Sequence, residues 1–354
     1  MMQALKGVRY VTSSTMKQAV SELSVAVPWG EIRGKVWGPD HGHPVLCLHG
    51  WADNCGTFNT LVPLLPKECR YVAMDLAGHG RSSHRPPGVL HAFPSYVMDV
   101  RRVVDALQWS KFSIIGHSMG DALYPEMVDA VVLLDSYGFL PTDQKEMPKV
   151  IRQGFEEMLL FEKTMEEKKR VYTYEKAVER LMSVNQTLSE RSAKILLERG
   201  LVQVEGGVVF SRDFRVNLKN IARISLEQSL ELHSRITASV LVVLAESGLD
   251  KIFAEVEQKK FTSALLQAYR DKNQSVVTVP GDHHIHLNKP DIVAPVVSDF
   301  LQTKTSYSSS HVTLTLLLIL YLYCTIYTGL TLVLKTHSAG RLSGLINYLK
   351  PFKR

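Results

Sequence analysis

Cysteine is scarce in this chain, and its placement excludes more than its number. The four cysteines, Cys47, Cys55, Cys69 and Cys324, include no Cys-x-x-Cys pair. A disulfide framework and a thiolate metal site are therefore not expected, and the usage suits a reducing compartment. Lysine and arginine exceed the acids by only six, and they form no basic stripe interleaved with aromatics, which argues against a nucleic-acid partner. No internal repeat is present. Residues 1–21 hold Lys6, Arg9 and Lys17 but no acid. They also lack the apolar stretch of a secretory signal. They read as a leader without structure (1–21), with a mitochondrial presequence as the alternative.

The remainder is long and apolar enough to bury a sizeable core. Leu23 to Trp29 and Glu31 to Trp37 alternate around Gly30 and predict a hairpin of two edge strands. Buried-strand runs follow at Pro44–Leu48, Tyr71–Met74, Lys111–Ile115 and Val131–Leu134, with helical spacing at Thr57–Leu65 and Tyr96–Leu107 between them. Strand and helix in alternation predict a mainly parallel α/β sheet. From 137 to 236 the chain becomes charged and helical, apart from a strand signal around Val202 to Phe210. This segment reads as a cap inserted between a first core part (22–136) and a second (237–302). The second part has strands at Ser239–Leu244 and Ser275–Val279 and helices at about 251–269 and 291–301.

The chemistry centres on Gly116-His117-Ser118-Met119-Gly120. A strand that runs into Gly-x-Ser-x-Gly predicts a nucleophile elbow, with glycines where the sharp turn leaves no room for a side chain. A serine hydroxyl needs a base to take its proton, histidine titrates near neutrality, and a carboxylate fixes the imidazole. Ser118 is the candidate nucleophile. His283, after Pro280-Gly281-Asp282, is the candidate base ahead of His284 and His286, which read as polar support. Asp250 is the candidate acid, with Asp135 and Glu246 as alternatives. Backbone N–H groups of Trp51, after His49-Gly50, and of Met119 would form the oxyanion hole. No metal or cofactor is called for, because the local histidine cluster lacks distant ligands to close a metal site.

These motifs, with Met74-Asp75-Leu76-Ala77-Gly78-His79-Gly80-Arg81-Ser82-Ser83, resemble those of the α/β-hydrolase superfamily. Ala26-Val27-Pro28-Trp29-Gly30, Pro44 to Trp51 and Pro125-Glu126-Met127-Val128-Asp129 resemble the vertebrate serine hydrolase-like proteins over about residues 23–301. The resemblance implies an α/β-hydrolase fold with an inserted helical cap and a serine hydrolase of ester, thioester or amide bonds without a cofactor. It also implies a location in cytoplasm, perinuclear vesicles or peroxisomes, although no Ser-Lys-Leu-type signal ends the chain. The expected partner is a small-molecule substrate, an apolar acyl compound.

The chain departs from the family pattern twice. Between Gly116 and Val131 lie 14 residues. A helix returning along a five-residue strand, about 16 Å, needs about 11 residues, and Pro125 limits it to Ser118–Leu123. A shortened, weakly active or inactive variant serving as a binding or scaffold protein is thus the alternative function. After a Ser/Thr-rich linker (303–311), Val312 to Leu334 runs 23 residues without a charge. That length spans a bilayer core of about 30 Å and predicts a transmembrane helix (312–334) with a basic tail (335–354), anchoring the enzyme on the cytoplasmic face of an intracellular membrane.

Overall fold

The computed structural model describes residues 8–12, 20–118, 126–164, 170–252 and 256–303. Strands β1 (Val8–Thr12), β2 (Ser21–Val27), β3 (Gly30–Trp37), β4 (His43–Leu48) and β5 (Cys69–Met74) precede helix α1 (Phe93–Ala106) and strands β6 (Phe112–His117) and β7 (Val128–Leu134). Helices α2 (Met147–Lys163), α3 (Tyr174–Val184) and α4 (Glu190–Gly200), the hairpin β8 (Leu201–Val204) and β9 (Gly207–Phe210), and α5 (Leu226–Ser234) come next. The chain then returns through β10 (Ser239–Ser247), α6 (Leu249–Ile252), α7 (Val256–Asp271), β11 (Ser275–Asp282), α8 (Ile285–Asn288) and α9 (290–303).

Among the described residues one nine-stranded sheet runs in the order β1-β2-β3-β5-β4-β6-β7-β10-β11. The strands from β5 to β11 are parallel, and β1, β2 and β3 add an antiparallel margin. Two expectations need correction here. The β2–β3 hairpin is not a pair of edge strands, because β3 also pairs with β5. Residues 8–12, read as part of a structureless leader, pair with β2, whose outer backbone groups would otherwise lack partners.

The parallel strands read as unbroken apolar runs because helices cover both faces. Leu46, Val72, Ile114, Val131 and Val242 point into one core, and their neighbours Cys47, Tyr71, Ile115, Val132 and Val243 into the other. The cap has a smaller core of its own, including Ala177, Leu188, Leu196 and Leu197. The connection is short: β6 ends at His117 and its parallel neighbour β7 begins at Val128, with ten residues between them, fewer than the dozen or so usual for a parallel crossover. The register still joins Ser113 to Ala130 and Gly116 to Leu133. The expected helix at 118–123 lies, beyond Ser118, outside the described residues, as does the run at 312–334. Among the described residues no helix is long and apolar enough to cross a membrane.

One buried ion pair fastens the cap to the sheet. Arg199, on α4, is 1% exposed. Its Nε and Nη2 donate to Asp75 Oδ2 at 2.9 and 2.8 Å, and its Nη1 donates to Glu22 Oε1 at 2.6 Å. Asp75, beyond the end of β5, also accepts from the backbone N–H groups of Cys55 and Arg81. Burial works against its ionised form, but Arg199 outweighs this and holds the carboxyl below its ordinary range. Asn54 Nδ2 donates to Leu196 O one turn earlier on α4, at 2.9 Å.

Removing Arg199 leaves a buried carboxylate without its cation, so Arg199→Ala should lose about 3–5 kcal/mol in urea denaturation at pH 7. The Asp75 carboxyl is depressed on folding, so the stability it contributes is present above about pH 4 and lost below it, and the gap between the two proteins should narrow in acid. A loss below about 1 kcal/mol would show that the Arg199–Asp75 pair does not hold the cap.

Candidate active site

The elbow forms where β6 ends. Ser118 has φ +61°, in the left-handed region that costs a side-chain-bearing residue of this kind on the order of 1 kcal/mol or more. The surroundings hold it there: its N–H donates to Leu134 O at 3.1 Å, and Ser136 Oγ donates to its carbonyl at 3.0 Å. The residue is half-buried at the carboxyl edge of the sheet. A Cβ placed on Gly50 would lie 3.1 Å from Ser118 Cβ. The same Cβ would lie 2.9 Å from His117 Nδ1, so a side chain at position 50 would crowd both residues of the elbow.

The imidazole and its carboxylate follow β11 and β7, at the same carboxyl edge of the sheet. His283 follows β11, and its Nδ1–H donates to Asp135 Oδ2 at 2.6 Å, leaving Nε2 as the basic nitrogen. Asp135 is 2% exposed. It also accepts from Ala245 N at 3.0 Å and Leu249 N at 2.8 Å, so its charge is stabilised by backbone dipoles. This corrects the expected acid. Asp250 is exposed on α6, and His283 turns instead to Asp135, the residue directly after β7. The physical reason lies in β10, which runs on to Ser247 with a register shift between Ala245 and Ser247. Gly248 then wraps against the Asp135 carboxylate, where a Cβ would come within 2.3 Å, and Asp250 is carried outward. Glu246 is likewise exposed.

His117, inside the elbow motif, has a role that its position did not reveal. Its Nε2 lies 2.9 Å from the carbonyl of His283, so Nε2 carries the proton and ties the imidazole's own backbone to the residue before Ser118. Burial holds His117 far below its ordinary range, and it stays neutral. His284 Nδ1 meets Thr187 Oγ1 of the cap at 3.0 Å, and His286 Nε2 meets Thr57 Oγ1 at 2.8 Å. Burial pushes His284 down to about 4 and His286 well below its usual value. Both are neutral cross-links in the wall behind His283. Among the described residues no group of side chains is arranged to hold a metal ion.

The loop after β4 supplies the other half of the site. His49 Nδ1–H donates to Gly50 O at 2.8 Å, and Leu76 N donates to His49 Nε2 at 3.0 Å, which fixes the loop from below. Trp51 N–H makes no hydrogen bond among the described residues. Met119 lies outside the described residues. Next come Ala52, at φ +61°, and Asp53. Asp53 Oδ1 accepts from Asn54 N at 2.8 Å, while Oδ2 is shut off from solvent without a partner. Burial pushes this carboxyl up to about 7. From the cap, Arg212 Nη1 donates to Ala52 O at 3.0 Å. Sequence reading missed Arg212, Asp53 and His117 because only the fold brings them beside residues 118 and 283.

A sequence profile of the alpha/beta hydrolase fold matches residues 43–290. The chain is 54% identical to a serine hydrolase-like protein of Danio rerio over 313 residues, covering 86% of this chain and 95% of that relative. It is 39% identical to serine hydrolase-like protein 2 of Homo sapiens over 298 residues, covering 80% of this chain and 94% of that relative. Among solved structures, a hypothetical protein of Pseudomonas aeruginosa is 31% identical and superimposes with a TM-score of 0.71, over 79% of this chain and 99% of that one. A thioesterase domain from the curacin biosynthetic pathway, 20% identical with a TM-score of 0.63, covers 82% of this chain and 99% of its own and shares the fold. The chain belongs to the α/β-hydrolase fold family, and within it is similar to the vertebrate serine hydrolase-like proteins.

Proposed function

We propose that the protein is a serine hydrolase that cleaves an ester, thioester or amide bond through an acyl-enzyme. The observation that carries this reading is the left-handed Ser118 at the end of β6, on the same sheet edge as the hydrogen-bonded His283–Asp135 pair. Ser118 Oγ attacks the substrate carbonyl carbon, and its proton passes to His283 Nε2. The Trp51 N–H, with that of Met119, receives the negative oxygen of the tetrahedral intermediate. The imidazolium, steadied by Asp135, returns the proton to the leaving group. Water then repeats the sequence on the acyl-serine, releasing the acid and restoring the hydroxyl. The names of the Danio rerio and Homo sapiens relatives support the reading.

The test is turnover of a panel of short esters and thioesters. Ser118→Ala and His283→Ala should each lower kcat/KM by at least about 1,000-fold, and not additively. Asp135→Asn should lose on the order of 1,000- to 10,000-fold, because the wrong tautomer of His283 is then favoured, while Asp250→Asn stays within about threefold. Full activity in Asp135→Asn would return the acid to another residue. The short connection between β6 and β7 favours a second reading, a weakly active or silent binding protein. Turnover by folded wild type that is weak or absent across the whole panel is the outcome that reading requires.

Asp53 gives a pH test. Burial pushes its carboxyl up to about 7 in the folded protein, from about 4 in the unfolded chain. Folding therefore penalises its ionised form, and its contribution to stability declines as pH rises from about 4 to about 7. Asp53→Asn cannot ionise, so its melting temperature should exceed that of wild type at pH 8 and not at pH 4. An equal difference at both values would contradict the buried ionisation.

Membrane attachment through residues 312–334 is a separate proposal, resting on the length and apolarity of that run. The protein should stay with membranes through alkaline carbonate, and deletion of 312–354 should release it. Carbonate extraction of the intact chain would overturn this.

A further inference from the structure

Arg212 is mounted more firmly than a half-buried cap residue need be. Ser211 N donates to Gly200 O at 2.9 Å on one side, and Asp213 N donates to Gly78 O at 2.9 Å on the other. Asp213 is 4% exposed, and its carboxylate holds Arg215 and His91. That carboxylate is thus already engaged. The Arg212 guanidinium reaches the loop after β4 and spends one donor on Ala52 O. Of the five N–H groups of a guanidinium, the others make no hydrogen bond or ion pair among the described residues. None of its nitrogens comes within ion-pair distance of a described carboxylate. Beside Ala52 sits the Asp53 carboxyl, with Oδ2 enclosed and unpartnered. A cation with unspent donors, next to a carboxyl that can carry a proton, sits one residue past the free Trp51 N–H. A wholly apolar acyl substrate, as expected from the sequence, would leave these polar groups unanswered at a cost of about 1–3 kcal/mol for each one buried.

Resting on the hydrolase reading above, we propose that Arg212 receives a carboxylate carried by the substrate, so that the enzyme prefers acid-bearing esters or thioesters over neutral ones of the same length. The planar guanidinium offers a paired, charge-assisted contact that lysine cannot reproduce. The bond to Ala52 O supplies the competing explanation. In that case Arg212 only steadies a left-handed residue beside the oxyanion donor, and its loss slows every substrate alike.

Matched probes separate the two. Mono-4-nitrophenyl adipate against 4-nitrophenyl hexanoate places the charge on the acyl side. 4-Carboxyphenyl butyrate against phenyl butyrate places it on the leaving group. Wild type should favour the charged member of one pair by about tenfold or more in kcat/KM, through KM, which is about the worth of one charge-assisted contact. Arg212→Gln should abolish that preference, slowing the charged member of the pair more than the neutral one by the whole of the wild-type preference, and Arg212→Lys should restore part of it. Calorimetry on Ser118→Ala with monomethyl adipate and methyl hexanoate makes the same distinction without turnover, and melting temperature verifies that each variant is folded. A binding preference for the charged ligand with no turnover in wild type would defeat the hydrolase reading and keep the Arg212 site. Equal slowing of both members of each pair by Arg212→Gln, or no charge preference in wild-type turnover or in binding, would overturn the proposal.

Discussion

The site depends on one buried carboxylate. Asp135 sits just past β7 with φ +44°, and its own N–H donates to Val243 O at 2.7 Å. Its two oxygens take the N–H groups of Ala245 and Leu249 and the imidazole of His283. One side chain therefore ties together the carboxyl ends of β7, β10 and β11. These protein donors, all aimed at a desolvated charge, are what make its burial tolerable. The same arrangement sets where His283 stands relative to the elbow. Moving any of the three strand ends would cost hydrogen bonds to a charge, so sheet register and the turns that follow β10 and β11 hold the geometry together.

A second constraint links the cap to the chemistry. Arg199 bonds Asp75, Asp75 receives the N–H of Cys55, and Asn54 bonds Leu196. The segment from Gly50 to Cys55 is thus clasped between the cap helix α4 and the loop after β5, while Arg212 bonds Ala52 from above. The cap therefore fixes the loop that carries the Trp51 N–H. A substrate that moves the cap is expected to move Trp51 with it.

Much of this was legible in the chain. Apolar runs closed by His-Gly, Gly-x-Ser-x-Gly and Gly-Asp-His mark strand ends, because a buried parallel strand needs apolar residues on both faces and reactive groups can appear only where it stops. The order serine, acid, histidine followed from the same logic. Which acid could not be read, since Asp135 and Asp250 both follow strands. The difference was made by the extra length of β10 and by Gly248, which admits the Asp135 carboxylate where any side chain would collide with it. Arg212 and Asp53 were equally hidden. One stands in a charged cap with no periodic signal and the other beside a conspicuous motif, and only the tertiary fold makes them neighbours. The hairpin was legible as a hairpin, but its place inside the sheet was not, because pairing between β3 and β5 leaves no mark in a local pattern.

The central claim is that Ser118 is an activated nucleophile in the folded chain. Reaction with a fluorophosphonate, followed by digestion and mass spectrometry of the peptide containing Gly116-His117-Ser118, tests it most directly. The account predicts a single stoichiometric adduct on Ser118, formed by native protein, absent after unfolding and strongly slowed in His283→Ala. An unmodified Ser118 in native protein, or labelling that is indifferent to His283, would contradict it.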